Sequence, residues 1–580
     1  MTTFLEKQLQ TFEAIKDTPR IPELSHESSL EFIVSSAEEI IHPIIEANDV
    51  IVIAGSYFGD EGKGKITDAV ARDPLVELVI RLNSGENAGH TVHHNGKKFV
   101  FHLTPSAVTI PGKICAIGPE CVMDPVNYMN KEISQLIKEG IDYKNRLFVG
   151  NVHIVTPYHK ILDFIVNPSN SSTLQGMSPS HASKVWKKGL RLDDLFNSEE
   201  GQRKKLEEDM QLYFAFLKQK GLDETEVIKR FEELAATGRS VPEHIMGFLK
   251  AEDKVGYLVS LYKENVTHNE NFPKRTDVNK LVNDTLKKGK KVLVESPQAY
   301  WLSNATEKHW GSSTSAQTHA AGVIASGSFN ITRYRINVIN VAKTPADSRV
   351  GRGANPSSFV NQTYFSDKGI NKLDDLGNAC INFNEIQRQY FKSIQSNGIL
   401  NPTKWEDETG EYSISEAMAI ASSRKFGEKG ATTGKPRVTG LFDCVAAYQV
   451  NDAQGPYLTI SALDRGDNQD FVGLTVAYAF HNPSGNAIDS NGIKYQNGHI
   501  VKIGDPYPCD NVLRFCHPIV KVMPGWKDTP IATDKRDPND PLPVSVQRFL
   551  GTIEDLTGFN VIAVGNGQNT PDMIYLKKAN

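Results

Sequence analysis

Two residues three positions apart, Asp60 and Lys63, carry the first chemical signal in the chain. They stand in Gly55-Ser56-Tyr57-Phe58-Gly59-Asp60-Glu61-Gly62-Lys63-Gly64-Lys65-Ile66, a turn with four glycines, two adjacent acids and two lysines. Glycine lets backbone N–H groups close on phosphate oxygens, and Lys63 and Lys65 add positive charge, so the stretch reads as a phosphate cradle. It is not a Walker A loop, because Gly64 follows Lys63 where that motif needs a Ser or Thr for magnesium. Acids inside an anion site are the feature to explain, Asp60 first; taken alone, Asp60 would serve as a helix cap. A second loop, Asn83-Ser84-Gly85-Glu86-Asn87-Ala88-Gly89-His90-Thr91-Val92, sets small residues around Asn87 and His90, again a composition that brings backbone close to a ligand.

A cradle of this kind needs a strand before it and a helix after it. The β-branched run 51–54 and the helical pattern from Ile66 meet that need, and the apolar run 78–82 leads into the second loop. Further strand patterns lie at 98–103, 114–117, 147–149, 291–295, 336–341, 457–463, 471–480 and 561–564, with helical patterns at 127–139 and 543–556. The expected fold is therefore α/β, a large and mainly parallel central sheet flanked by helices, with helical and loop insertions. Residues 1–48 are expected to form a helical extension, with Leu5, Leu9, Phe12 and Ile15 on one face and Leu30, Ile33, Ala37, Ile40 and Ile44 on another, the second broken at Pro43. The extension either packs on the body or docks a partner. Residues 49–580 form the expected catalytic domain, with a helical subdomain at about 200–290 (Leu206, Met210, Tyr213 and Leu217 on one face) and a polar insertion at about 355–428 with one helical pattern at 383–394.

Composition excludes several classes of function. A 39% hydrophobic and 23% charged chain of 580 residues with a net charge of −5 has no global basic surface for nucleic acid or membrane. No apolar run approaches membrane-spanning length, and acids and amides occupy the N-terminus where a signal peptide needs an apolar core. Six cysteines without a C-x-x-C pair indicate neither a disulfide framework nor a zinc ribbon, so the cytoplasm is the expected compartment.

The cradle Gly59-Asp60-Glu61-Gly62-Lys63-Gly64-Lys65, followed by Asn87-Ala88-Gly89-His90-Thr91, closely resembles the adenylosuccinate synthetase family. Family-like blocks continue in order: His102-Leu103-Thr104-Pro105-Ser106, Pro157-Tyr158-His159-Lys160-Ile161-Leu162-Asp163, Lys188-Gly189-Leu190-Arg191-Leu192-Asp193-Asp194-Leu195-Phe196, Gly430-Ala431-Thr432-Thr433-Gly434, Val522-Met523-Pro524-Gly525-Trp526 and Ile553-Glu554-Asp555-Leu556-Thr557-Gly558. The resemblance implies a GTP-dependent ligase that joins IMP to L-aspartate, cytosolic, homodimeric and Mg²⁺-dependent. The chemistry suits the residue types. Oxide-like oxygen will not leave C6 of a 6-oxopurine, so O6 is first phosphorylated, which requires a carboxylate to remove the N1 proton.

The resemblance makes Asp60 that base and, with the Gly89 carbonyl, the Mg²⁺ ligand, while His90 stabilises charge on the transferring γ-phosphoryl. Lys63 and the Gly62–Ile66 backbone hold that phosphoryl; Gly59, Glu61, Gly64, Lys65, Thr91, Arg437, Asp464 and Gly565 complete the nucleotide side. Asn87 lies near the transferring phosphoryl, Gln298 near the purine, and Thr314 and Thr173 near the 5′-phosphate. Ala431, Thr432, Thr433, Lys435 and Arg437 match the mobile loop that takes aspartate. Four positions depart from the family: Gln175, Lys187 and Lys435 each replace an Arg, Lys187 at the position that crosses to the partner subunit, and Ala462 replaces the Lys beside the guanine-reading Asp464. They leave open GMP or dGMP in place of IMP, and ATP in place of GTP; retained Asp60 favours IMP. A third reading is a regulatory or scaffold protein that kept the fold.

Overall fold

The strand Val50–Gly55 runs through the middle of a 12-stranded sheet, and all six of its residues are buried. An unbroken run of Val, Ile and Ala suits a strand covered by helices on both faces. From one edge the order is Phe32–Ser35, Met573–Lys578, Asn560–Gly565, Tyr457–Ser461, Ile336–Lys343, Val50–Gly55, Lys291–Glu295, Val76–Ser84, Ile114–Met123, Leu147–Val149 and Lys274–Arg275, with His153–Ile154 beside Ile114–Met123. Pairing is parallel except where Met573–Lys578 runs antiparallel to both neighbours. This computed structural model describes residues 3–94, 96–166, 175–236, 241–327, 329–430 and 434–579. It has the expected α/β architecture.

Parallel pairing gathers the carboxyl ends of the strands on one side. Six consecutive strands of the sheet end at Gly565, Ser461, Lys343, Gly55, Glu295 and Ser84. The loops that follow them open at one edge, where open α/β sheets bind ligands.

Elsewhere the structure adjusts the sequence expectations: helix Ala37–Ala47 runs on through Pro43, where a break was expected, and Leu9 of the first helical face is exposed. The run 98–103 forms a hairpin strand, Lys97–Phe101, against His90–His94, and Phe471–Phe480 belongs to a second sheet with Phe442–Asp443, Ile500–Lys502 and Cys516–Pro524. Helices Glu199–Gln219, Glu224–Ala236, Glu243–Lys250, Lys254–Tyr262 and Val278–Lys287 fill most of 200–290, and Leu206, Met210, Tyr213 and Leu217 are buried together. Helix Phe4–Ile15 forms with Phe12 and Ile15 buried. Leu30 and Ile33, expected on a helical face, instead lie before and within Phe32–Ser35, because the open edge of Met573–Lys578 offers this stretch a backbone ladder. Within 355–428, where one helical pattern was expected, Phe383–Lys392 is joined by the short helix Tyr364–Asp367 and by Ile414–Lys425, in which ten of twelve residues are buried, so the sequence has no polar stripe to betray it. Among the described residues no helix is long and apolar enough to cross a membrane.

Candidate active site

The cradle is built by backbone that glycine makes possible. Gly59, Asp60 and Gly62 all have positive φ, at 89°, 57° and 86°, and Asp60 bears the strain of a non-glycine residue there. Glu61 turns inward, fully buried, and accepts the Tyr57 N–H at 2.5 Å. A methyl group on Gly55 would come within 2.2 Å of Glu61 Oε2, so the strand must end in glycine for this acid to fit. Lys63, also buried, holds its ammonium 3.5 Å from Glu61 Oε2; burial raises the Glu61 carboxyl and the Lys63 charge opposes that rise. Gly62 caps helix Lys63–Ala71 without any side-chain hydrogen bond, which leaves the positive end of the helix facing the turn. Gly64 packs that helix start against the Thr91 carbonyl and His90, where an added Cβ would be 3.0 and 3.2 Å away.

Lys65 does not join Lys63. Its Nζ donates to the carbonyls of Gly567 and Asp572 at 2.9 and 2.7 Å, and burial pulls its pKa down to about 8 against the pull of Asp572 and Asp464. Gly565 lies beside this ammonium, at 3.2 Å from a built Cβ. Lys65, Asp464 and Gly565 therefore form one corner, separate from the turn. Burial and Asp467 raise the Asp464 carboxyl there.

His90 is the best-supported side chain of the second loop. Its Nδ1 bonds to Glu295 Oε1, and Arg81 Nη1 lies 3.3 Å from the same nitrogen. Glu295 also accepts the Ser106 N–H at 2.8 Å and the Ser106 hydroxyl at 2.5 Å. Burial raises the Glu295 carboxyl, but His90, Arg81 and Ser106 together outweigh it and hold it at about 2. Burial lowers His90 to about 4, only partly offset by Glu295. The ring is thus neutral at physiological pH, with Nδ1–H donated to Glu295 and Nε2 without a protein partner.

Asn87 Nδ2 donates to the Thr314 hydroxyl at 3.1 Å, and the Ser84 hydroxyl donates to Gln298 Oε1 at 3.1 Å while lying 3.4 Å from Asn87 Oδ1. This chain of polar groups fixes Asn87, Gln298 and Thr314 on the wall of one cleft of 1330 Å³. Gln298 Nε2 is buried with no partner, a donor left for something the cleft takes in.

Asp60 is engaged by Arg437, whose Nη2 lies 2.8 Å from Asp60 Oδ2. Arg437 ends a loop closed at its base: its N–H donates to the Glu428 carbonyl at 2.9 Å, and the Gly430 N–H donates to the Lys435 carbonyl at 2.9 Å. The Glu428 carboxylate is buried and receives Lys343 at 2.9 and 3.1 Å, Ser348 at 2.9 Å and Arg465 at 2.5 Å. Burial would raise this acid, but Lys343 and Arg465 drive it far below the usual carboxylate range.

Gly89 is partly exposed between His90 and Ala88, whose carbonyl accepts His102 Nδ1 at 2.9 Å. Lys187, at positive φ of 60°, is exposed next to exposed Val185 and Trp186. Thr173, Ala431, Thr432 and Thr433 lie outside the described residues.

Asp60 and Lys63, Gln298 and Thr314, and Asn87 and His90 thus follow the carboxyl ends of three neighbouring strands, and Arg437 reaches Asp60 there. Arg81, Glu295, Ser106, Lys343 and Glu428 hold them there, and motif reading did not single these out. A charged residue closing the apolar run 291–295 is the one sequence signal that could have marked Glu295. Among the described residues no three His, Cys, Asp or Glu side chains converge on a metal position. A magnesium ion needs no such cage when phosphates supply most of its oxygens, and the Asp60 carboxylate with the Gly89 carbonyl is a fitting hard-oxygen pair for it.

The family described as adenylosuccinate synthetase matches residues 52–256 and 243–574. Adenylosuccinate synthetase of Leishmania major is 51% identical over 583 residues, covering 98% of this chain and 82% of the relative. Adenylosuccinate synthetase 2 of Trypanosoma cruzi (strain CL Brener) is 50% identical over 582 residues, covering 98% of this chain and 94% of that one. The fully ligated adenylosuccinate synthetase from Plasmodium falciparum shares the fold, with a TM-score of 0.62 at 22% identity over 91% of this chain and 100% of that chain.

Proposed function

The chain belongs to the adenylosuccinate synthetase family, and from that premise we propose that it joins L-aspartate to C6 of IMP, driven by hydrolysis of a nucleoside triphosphate, in purine nucleotide biosynthesis. The observation that carries this reading is that Asp60 and Lys63, Gln298 and Thr314, and Asn87 and His90 follow the carboxyl ends of three neighbouring strands, with His90 bound to Glu295 and Asn87 to Thr314. Asp60 takes the proton from N1 of the purine. O6 then bonds to the γ-phosphorus as the bond to the β–γ bridging oxygen breaks, and a nucleoside diphosphate departs. Lys63, the uncapped helix start and His90 stabilise the negative charge of that transfer. The amine of aspartate next forms the bond to C6, phosphate leaves with O6, and the amine gives up a proton. Bound Mg²⁺, held by Asp60 and the Gly89 carbonyl, would supply charge neutralisation at the triphosphate.

Before Asp60 acts, Arg437 has to release it; the guanidinium then becomes available to aspartate and the nucleotide, and Lys435 with Thr432 and Thr433 completes aspartate binding. Asp464 supports GTP as donor, since guanine offers N1–H and an amino group to a carboxylate and adenine presents an acceptor at N1. Exposed Val185 and Trp186 beside Lys187 support a homodimer in which Lys187 reaches the partner's nucleotide. The cytoplasm is the compartment that fits six unpaired, buried cysteines.

The purified protein with aspartate and Mg²⁺, supplied with IMP, GMP or dGMP and with GTP or ATP, provides the test by phosphate release and product mass. Adenylosuccinate from IMP and GTP is the expected product. Turnover of dGMP without IMP would replace the substrate assignment, and silence in every combination would remove the ligase reading.

A further inference from the structure

We propose that Arg352 is a ligand of the nucleotide's 5′-phosphate, the cation that this cleft supplies from its own rim. The proposal rests on the ligase reading given above. Arg352 lies at the exposed tip of Val350-Gly351-Arg352-Gly353 and lines the same cleft as Asn87, Gln298 and Thr314.

The tip is held in place on both sides. Before it, Val350 N–H donates to the Phe58 carbonyl of the phosphate turn at 2.9 Å, and the buried Arg349 guanidinium stacks 4.0 Å over the Phe58 ring while donating to the Ser312 hydroxyl at 3.0 Å and the Ala354 carbonyl at 3.2 Å. After it, Ala354 N–H donates to Asp510, which also takes His309 Nδ1 and the Ser312 hydroxyl. Gly353 seats directly on this bracket: an added Cβ would lie 1.9 Å from Arg349 Nη2 and 2.2 Å from Ser312 Oγ. Gly351 supplies a turn at φ 88°. The bracket sets the Arg352 backbone against Ser312, two residues before Thr314, whose hydroxyl already partners Asn87.

Charge bookkeeping then selects the side chain. Asn87 and Thr314 are neutral side chains. Among the described cations on the cleft, Lys308 pairs with Glu307 at 3.2 Å and Arg514 donates to the Asp510 carbonyl at 3.2 Å. Lys7, on the Phe4–Ile15 helix, also lines the cleft but among the described residues has no link to the Ser312–Thr314 segment of the kind that Arg349 gives the Arg352 tip. Arg352 has no ion pair among the described residues, and a guanidinium on a short, anchored tip suits a two-pronged grip on a phosphate dianion.

The test compares wild type, Arg352→Ala and Arg352→Lys in steady-state kinetics with IMP, aspartate and the triphosphate, together with inhibition by inosine, which lacks the phosphate. In Arg352→Ala the KM for IMP should rise about 10- to 100-fold, the loss expected for a hydrogen-bonded charged contact, with the change carried by KM rather than kcat. Arg352→Lys should restore part of it. The KM values for aspartate and triphosphate and the Ki for inosine should stay within about twofold. An unchanged KM for IMP, an equal weakening of inosine, or a rise confined to aspartate would each overturn the assignment while wild-type turnover keeps the ligase reading intact. A wild type inactive on every 6-oxopurine nucleotide would remove that reading and the proposal with it.

Discussion

His90 illustrates how a single side chain is set for its task by partners remote in sequence. Its ring is pulled down to about 4 by burial, while Glu295 is held at about 2. Both folded-state values lie below their unfolded ones, so each group favours the folded state above its unfolded pKa and costs stability as pH falls. For His90 the window runs from 6.5 down to 4, where the unfolded chain binds the proton more readily. Between pH 6.5 and pH 5 this amounts to on the order of 2 kcal/mol. Urea unfolding at those two pH values should show the loss in wild type and a flatter profile in His90→Gln; identical slopes would show that the imidazole is not the titrating group. A triphosphate beside Nε2 would raise the ring's pKa, so saturating nucleotide should shrink the slope in wild type. With Asp60 as the proposed proton acceptor, Asp60→Asn should keep the turn and lower turnover roughly a hundredfold or more with the fold intact. Near-normal turnover would place the base elsewhere. Asp60, Lys63, Asn87 and His90 are legible in the sequence because glycine spacing marks their loops. Arg81, Ser106 and Glu295 are not, since their meeting depends on two neighbouring strands, Val76–Ser84 and Lys291–Glu295, and on the helical turn Ser106–Thr109 packing against them.

At the scale of elements, the loop that returns Arg437 to Asp60 is anchored by Glu428, buried beneath it between Lys343 and Arg465. Lys343 ends the strand Ile336–Lys343 next to the strand that leads into the phosphate turn, so one ion network ties the two loops. Glu428→Gln would leave buried Lys343 and half-buried Arg465 with weakened neutralisation, a change that costs up to about 3–5 kcal/mol in buried pairs. The expected result is a lower denaturation midpoint together with a raised KM for aspartate, because the loop loses its footing; a stability loss with aspartate affinity unchanged would mean that the anchor serves the fold alone. The central strands that position these loops are plain in the sequence as short β-branched runs. Helix Ile414–Lys425 is not: it buries serines and a glutamate as well as its apolar residues, so neither period nor polarity separates it from loop. Nor is the edge pairing of Phe32–Ser35, whose apolar spacing with the following helix fits a helical repeat equally well.

Across the whole molecule, the first residues of the chain are part of the body that carries the site. Phe12, Ile15, Ile21 and Phe32 are buried in the same core as Phe549, Leu550 and Ile553, and the backbone between them is tied down by Asn397, which donates to the Lys16 and Thr18 carbonyls, and by Lys521, which donates to Leu24. Phe4 meets Tyr364 of the insertion edge to face at 6.1 Å. Helix Phe4–Ile15 also lines the cleft that Asn87 and Thr314 line. Removing residues 1–24 would expose the partners of Phe12, Ile15 and Ile21, a loss on the order of 6 kcal/mol at about 2 kcal/mol for each large buried side chain. That is comparable with the entire stability of an ordinary domain. The shortened chain should therefore unfold at a lower temperature or aggregate on size-exclusion chromatography. Phe12→Ala, which keeps the helix and its hydrogen bonds, should reproduce a part of the loss, about 3–5 kcal/mol. A shortened chain that melts like wild type and binds IMP with unchanged affinity would show that the segment is a detachable arm. One that melts like wild type but binds IMP weakly would assign it to the cleft and not to the core, a division that the shared burial of Phe12 and Phe549 argues against.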